Sequence, residues 1–324
     1  MEDKLASGAG ISVVEVSVFF IVVQAVFITN EEINKAEVIF FIFELLVKVK
    51  VLNLAKIKPT MKTLILSSAA AALLLSCNLK SENVFPSSLV AKEGKGTIKT
   101  KQFVMNIDEI KVAQSIRAEI VKSDIEKVVI TAPEDIIDDI LVDNDRGEVY
   151  IHFKPNFNIS ARNVAAKIFV KDFSKLEATS SAKIVVKDKF TQDKTDVEVS
   201  SSASISGNLE TNDLSIDVSS SGDFSGEIWA VNLESQVSSS GDITISGKAK
   251  NAELHASSSG TLNAKNLVAD DAVIKASSSG SVSAGVKNQL NASASSSGDI
   301  SVAKKGNLNI VSQQQNSGGS ISIQ

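Results

Sequence analysis

Leu214-Ser215-Ile216-Asp217-Val218-Ser219-Ser220-Ser221-Gly222 is the stretch that decides how this 324-residue chain folds. Apolar Leu214, Ile216 and Val218 alternate with polar Ser215 and Asp217, the period of two expected of a strand with one buried face. The strand runs into three serines and a glycine, and that ending returns. It closes at Gly222, Gly241, Gly260, Gly280 and Gly298, in steps of 19, 19, 20 and 18 residues. Worn copies extend the series at Ser200-Ser201-Ser202-Ala203, Ser180-Ser181-Ala182 and Ser317-Gly318. A period near 20 residues is the mark of stacked coils.

The copies keep phase: Leu233 and Val237, then Ala252, Leu254 and Ala256, then Ala272, Ile274 and Ala276, then Leu290, Ala292 and Ala294. Alternation carried through the triplet puts the middle serines inward: Ser220, Ser239, Ser258, Ser278 and Ser296. It puts the outer pairs outward as a candidate binding face: Ser219 and Ser221, Ser238 and Ser240, Ser257 and Ser259, Ser277 and Ser279, Ser295 and Ser297. The glycine is expected to supply a backbone turn that a Cβ resists. A second short strand follows, as in Asp242–Ile245 or Asp299–Val302. Asn212, Asn232, Asn251, Asp271, Asn288 and Asn307 are expected at left-handed corners closing the coils. Strands this short bury a face only by pairing with their equivalents above and below, about 4.8 Å apart. The expectation is an all-β chain forming a slender parallel β-solenoid, or β-helix, of 19–20-residue coils, right-handed by the usual crossover rule.

Composition narrows the function classes. A net charge of −5 gives no support for nucleic-acid binding. At 5% aromatic residues, platforms for stacking sugars are few. The single cysteine, Cys77, excludes an intrachain disulfide.

That cysteine stands at an informative place. Met61-Lys62-Thr63 gives a short basic start, Leu64–Leu75 an apolar core, and Leu74-Leu75-Ser76-Cys77 resembles a bacterial lipobox. Residues 61–76 therefore read as a lipoprotein signal peptide, with Cys77 lipidated and 77–95 a polar tether. Translation is expected to start at Met61, which makes residues 1–60 an over-extended start. If those residues are translated, Ile11–Thr29 is long enough to anchor in a bilayer. The rest divides into 96–180, a bulkier strand-rich part suited to capping the solenoid, and 181–324, the serine repeat.

The front part carries a resemblance. Phe103–Ile110, Ile116-Arg117-Ala118-Glu119-Ile120, Val128–Ala132, a hairpin around Asn144-Asp145-Arg146-Gly147, Ala166–Val170 and the serine repeats together resemble the GIN domain, the family described as a "putative auto-transporter adhesin" head domain and common in Bacteroidetes lipoproteins. The resemblance spans about 94–324. It implies a β-solenoid in the cell envelope of a Gram-negative bacterium, held at the outer membrane by lipid on Cys77. It transfers no catalytic residue.

Nucleophilic serine chemistry needs a base that is itself oriented. His255, the one histidine in the repeats, is expected to face outward. No catalytic residue, metal ligand or cofactor is assigned. Asp223 and Asp242 would stack one coil apart, but Thr261 and Ser281 follow them, so turn roles are expected. The reading is a non-enzymatic surface for glycan or envelope-protein partners, able to associate end to end through its uncapped last strand. A polysaccharide lyase is the first alternative, although the three arginines, Arg117, Arg146 and Arg162, all lie in the front part. An ice- or water-ordering surface is the second.

Overall fold

A computed structural model describes residues 91–155 and 158–324. Cys77, the signal segment 61–76 and residues 1–60 lie outside the described residues. In chain order the strands are β1 (Ile98–Val104), β2 (Glu109–Val112), β3 (Arg117–Lys122), β4 (Lys127–Pro133), β5 (Ile140–Asp145), β6 (Glu148–Phe153), β7 (Ala165–Val170), β8 (Lys175–Ala178) and β9 (Lys183–Val186). The repeat supplies β10 (Phe190–Val199), β11 (Ser204–Ser206), β12 (Leu209–Val218), β13 (Asp223–Val237), β14 (Asp242–Ala256), β15 (Thr261–Ala276), β16 (Ser281–Ala294), β17 (Asp299–Lys304), β18 (Asn309–Gln315) and β19 (Ser320–Ile323). A 3-10 turn spans Ile137–Asp139.

The strands join one continuous sheet that winds as a solenoid. Asp223, Asp242, Thr261, Ser281, Asp299 and Ser320 lie in register, each one lap from the last. The glycines stack likewise: Asp242 N–H donates to Gly222 O, Thr261 N–H to Gly241 O, and Ser281 N–H to Gly260 O, at 2.9–3.0 Å. Each middle coil has three faces. In β13, residues 233–237 form face one, 223–226 face two after the serine corner, and 228–230 face three.

Alternation puts small apolar residues inside. The coil running through β14 and β15 buries Ala252, Leu254 and Ala256 on face one, then Leu262 and Ala264, then Leu267 and Ala269. The front coils are filled with larger side chains, among them Ile110, Ile116, Ile120 and Phe153. Among the described residues one buried side chain breaks the apolar rule without compensation. Ser235 stacks between Ile216 and Leu254, 1% exposed, and its hydroxyl has no partner.

The front differs in path as well as filling. The coil β2–β3 is not outermost: β2 pairs in parallel with both β6 and β8, and β3 with both β7 and β9. The chain leaves β3, runs outside it through β4 to β7, then steps back past it to β8. The outer coil is covered in turn by antiparallel strands, β5 on β6, β4 on β7 and β1 on β4. A covered edge cannot template another chain. The β5–β6 hairpin turns at Arg146 and Gly147, both with positive φ, as its Asn-Asp-Arg-Gly sequence led us to expect.

Candidate binding faces

The serine corner has a different construction from the one alternation suggests. Ser220 and Ser221 both have left-handed backbone, φ 51 and 60, and Gly222 N–H donates back to Ser219 O at 2.8 Å. Two left-handed central residues closed by such a bond make a type I′ turn. The same pair recurs from Gln114/Ser115 in the front coil to Ser317/Gly318 in the last. A left-handed conformation costs an ordinary residue about 1–2 kcal/mol. Serine, short and unbranched at Cβ, is spared the steric conflict that makes a β-branched residue a true outlier there. Bonds between corners offset part of the cost: Ser202 N–H donates to Ser220 O, Ser221 to Ser239 O and Ser240 to Ser258 O, at 3.0–3.2 Å.

Three corrections follow. The middle serines Ser220, Ser239, Ser258, Ser278 and Ser296 are exposed, not inward, because the type I′ turn swings two consecutive residues out before the chain re-enters the core. Gly222 is buried and has no left-handed backbone. It is glycine because a Cβ there would stand 2.8 Å from Val199 O, and at Gly280 2.6 Å from Ala256 O, in the preceding coil. Nor do Asn212, Asn232, Asn251, Asp271, Asn288 and Asn307 hold left-handed corners. Several instead form a side-chain ladder within the sheet: Asn251 Nδ2 donates to Asn232 Oδ1 (2.8 Å), and Asn232 Nδ2 to Asp213 Oδ1 (2.7 Å).

All the outer serines reach the surface. Ser219, Ser238, Ser257, Ser277 and Ser295 are half-buried, and Ser221, Ser240, Ser259, Ser279 and Ser297 are exposed. Each corner thus offers three hydroxyls rather than two.

Face two continues that surface. Its outward residues form two columns in register. One is Ser204, Asp223, Asp242, Thr261, Ser281, Asp299 and Ser320; the other is Ser206, Ser225, Thr244, Asn263, Ser283, Ser301 and Ser322. Every one of these side chains is short and polar, and none carries positive charge. The signal was present in the sequence as polar-apolar-polar triads after each glycine: Asp223-Phe224-Ser225, Asp242-Ile243-Thr244, Ser281-Val282-Ser283. Partial burial, then the facing Asp242, raises the Asp223 pKa above the usual carboxylate value, with Lys183 opposing. Ser320 Oγ donates to Asp299.

Face one is charged and grooved. A groove of about 490 Å³ follows the amide ladder and is lined by Asp213, Glu234, Glu253 and Asp271, with Lys194 at one end. His255 Nε2 lies 3.0 Å from Glu253 Oε1, and Lys275 Nζ 3.3 Å from the same oxygen. These neighbours, Lys275 first, hold the Glu253 carboxyl below its ordinary pKa. No arginine lines this groove. Arg146 pairs with Asp145 and Arg162 with Glu93, both in the front part. Among the described residues no three His, Cys, Asp or Glu side chains converge as a metal site.

The family model described as "Putative auto-transporter adhesin, head GIN domain" matches residues 106–306. A solved "putative adhesin" from Parabacteroides merdae superposes with TM-score 0.65 at 18% identity, covering 72% of this chain and 99% of its own. One from Parabacteroides distasonis gives 0.66 at 20%, again over 72% and 99%. A "putative lipid binding protein" from the same organism gives 0.62 at 20%, over 72% of this chain and all of its own. At these identities the likeness shows the fold. No curated protein matches the chain.

Proposed function

Because the chain belongs to the GIN-domain family of adhesin heads, we propose that it is a non-enzymatic, lipid-anchored protein of the Gram-negative cell envelope whose solenoid serves as an adhesive or scaffolding surface. The observation that carries this reading is the pair of unbroken short-polar columns on face two, running beside the serine corners from Ser204 to Ser322. Many weak polar contacts repeated at the coil spacing add by avidity, without a deep pocket. The family's Bacteroidetes neighbours support an envelope location, and lipid on Cys77 would hold the head at the outer membrane. A lyase would gather carboxylates with arginine or lysine in a cleft, and the face-one groove sets its many carboxylates against one lining cation, Lys194 at one end. An ice-ordering role has weaker support still, since threonine takes only positions 244 and 261 in the face-two columns.

The test is adhesion of cells carrying the full chain to plates coated with mucin or with collagen. Ser225→Lys with Ser283→Lys places two long cations on face two and should lower adhesion to one of these coats at least tenfold. Unchanged adhesion to both would remove face two from the reading. Cys77→Ser should abolish incorporation of labelled palmitate and move the protein out of the membrane fraction; membrane retention would refute the anchor.

A further inference from the structure

Face three carries a feature unlike the rest of the surface. Trp229, the only tryptophan in the chain, points outward between Glu210 and Lys248 of the neighbouring coils and is 47% exposed. Two grooves meet at it, of about 420 and 530 Å³. The larger is flanked by side chains already fixed by hydrogen bonds. Gln192 Nε2 donates to Phe173 O, Thr195 Oγ1 donates to Gln192 Oε1 at 2.7 Å, and Asn212 Nδ2 donates to Asp193 Oδ1 at 3.1 Å. In the smaller groove Lys189 pairs with Glu210. A site held this way on strands is organised before a ligand arrives.

The surroundings select the ligand class. Among the described residues the other exposed large apolar side chains lie at the extremities: Ile98, Val104 and Ile125 in the front part, Ile310 and Val311 in the last coil. Trp229 therefore stands alone among amides, hydroxyls and charges. A protein or lipid partner would favour a contiguous apolar patch. A pyranose needs only one flat apolar surface for its C–H face, with polar groups around it for its hydroxyls. Charge narrows the choice. Across the two grooves Asp108, Asp172, Asp193, Glu210 and Glu227 outnumber Lys189, Lys194 and Lys248, which disfavours uronic or sulfated sugars.

We propose that Trp229 is the stacking platform of a carbohydrate subsite on face three that accepts an uncharged hexopyranose unit. This site is separate from face two and stands or falls apart from it. A lone tryptophan makes the test direct, because intrinsic emission above the tyrosine band reports this side chain alone. The full chain in detergent is titrated with cello-, manno- and chito-oligosaccharides and, as the anionic control, oligogalacturonate. At least one uncharged series should shift the emission to shorter wavelength saturably and protect it from acrylamide quenching. By calorimetry, Trp229→Ala should bind that sugar at least tenfold more weakly and Trp229→Phe should recover part of the loss, while Ser225→Lys with Ser283→Lys leaves the affinity unchanged. Circular dichroism confirms that the variants fold. The proposal is overturned if no uncharged series shifts the emission, if oligogalacturonate alone does so, or if Trp229→Ala binds like the wild type.

Discussion

The front coils and the repeat coils share one corner and fill it differently. The residue that re-enters the core after the type I′ turn is Ile116 in the front coil, then Ala182 and Ala203, then glycine from Gly222 onward. The position stays buried from Ile116 to Gly298 and is half-buried at Gly319 in the last coil. The front is wide enough to hold an isoleucine there; the repeats press their carbonyls to within 2.4 Å of where a Cβ would sit at Gly298. Outward surfaces diverge too. On face two the front carries Arg117, Glu119 and Lys183, with Lys187 paired to Glu119 at 3.2 Å, whereas the repeats carry short polar groups there. A shared corner is thus compatible with two kinds of core and two kinds of surface, and the corner residue tells which is in use.

Exchange across that boundary should have the largest effect. Gly280→Ile installs the front residue in a repeat coil, where a Cβ meets backbone rather than a yielding side chain. It should cost more than about 4 kcal/mol or prevent folding; a variant with near-native urea midpoint would show that the coils can spread. The reverse direction, Ile116→Ala, empties a filled site and should cost about 2–5 kcal/mol in the same urea titration. A loss below about 1 kcal/mol would mean that the front core collapses onto the gap.

Smaller effects sharpen the contrast. Ser235→Ala removes an unpartnered buried hydroxyl and should stabilise by about 1 kcal/mol. The front hairpin uses glycine for its second left-handed residue, Gly147, where the repeats use serine. Ser258→Asn with Ser259→Gly should therefore raise stability by about 0.5–1 kcal/mol, read as a higher Tm.

The smallest effect concerns pH. The Asp138 carboxyl, beside Lys101, titrates below its usual value, whereas Asp223, partly buried and facing Asp242, titrates above it. A raised folded pKa means that the fold holds the proton more tightly than the unfolded chain does. The stability it confers is present at low pH and is lost as pH rises through the raised value. Asp223→Asn should raise Tm at pH 7 and leave it unchanged at pH 3. Asp138→Asn should do the opposite, lowering Tm slightly at pH 7 only. Equal shifts at both pH values would assign the effect to packing.

Much of this was legible in the chain. Period two in Leu214-Ser215-Ile216-Asp217-Val218 placed the buried face correctly, and the serine period placed the coils in register. The corner was misread because alternation was carried across it. A strand rule fails inside a turn, and Ser-Ser is not among the pairs that usually announce type I′ geometry. The strand after each glycine was legible, as in Asp242–Ile245; the further step to face two is to follow its outward polar positions from coil to coil. The order of the front coils could not have been found, since nothing local to β2 or β3 encodes being flanked by strands 39–66 residues later; that outcome belongs to long-range pairing. Trp229 was visible as a residue, but its isolation in a polar setting depends on which coils lie beside it.

The interleaved path of β2 and β3 also has a mechanical consequence. In the repeats, inter-coil hydrogen bonds run along the rod, so tension along that axis loads one lap at a time and can unzip the coils in sequence. Each released lap of about 19 residues would pay out about 65 Å of slack. Force entering from the N-terminal side meets a different arrangement. The first lap is clasped by later segments on both sides, and the chain cannot run out until the outer wrap has opened. A rod built this way holds firm where it is pulled and yields, lap by lap, only beyond its clasp.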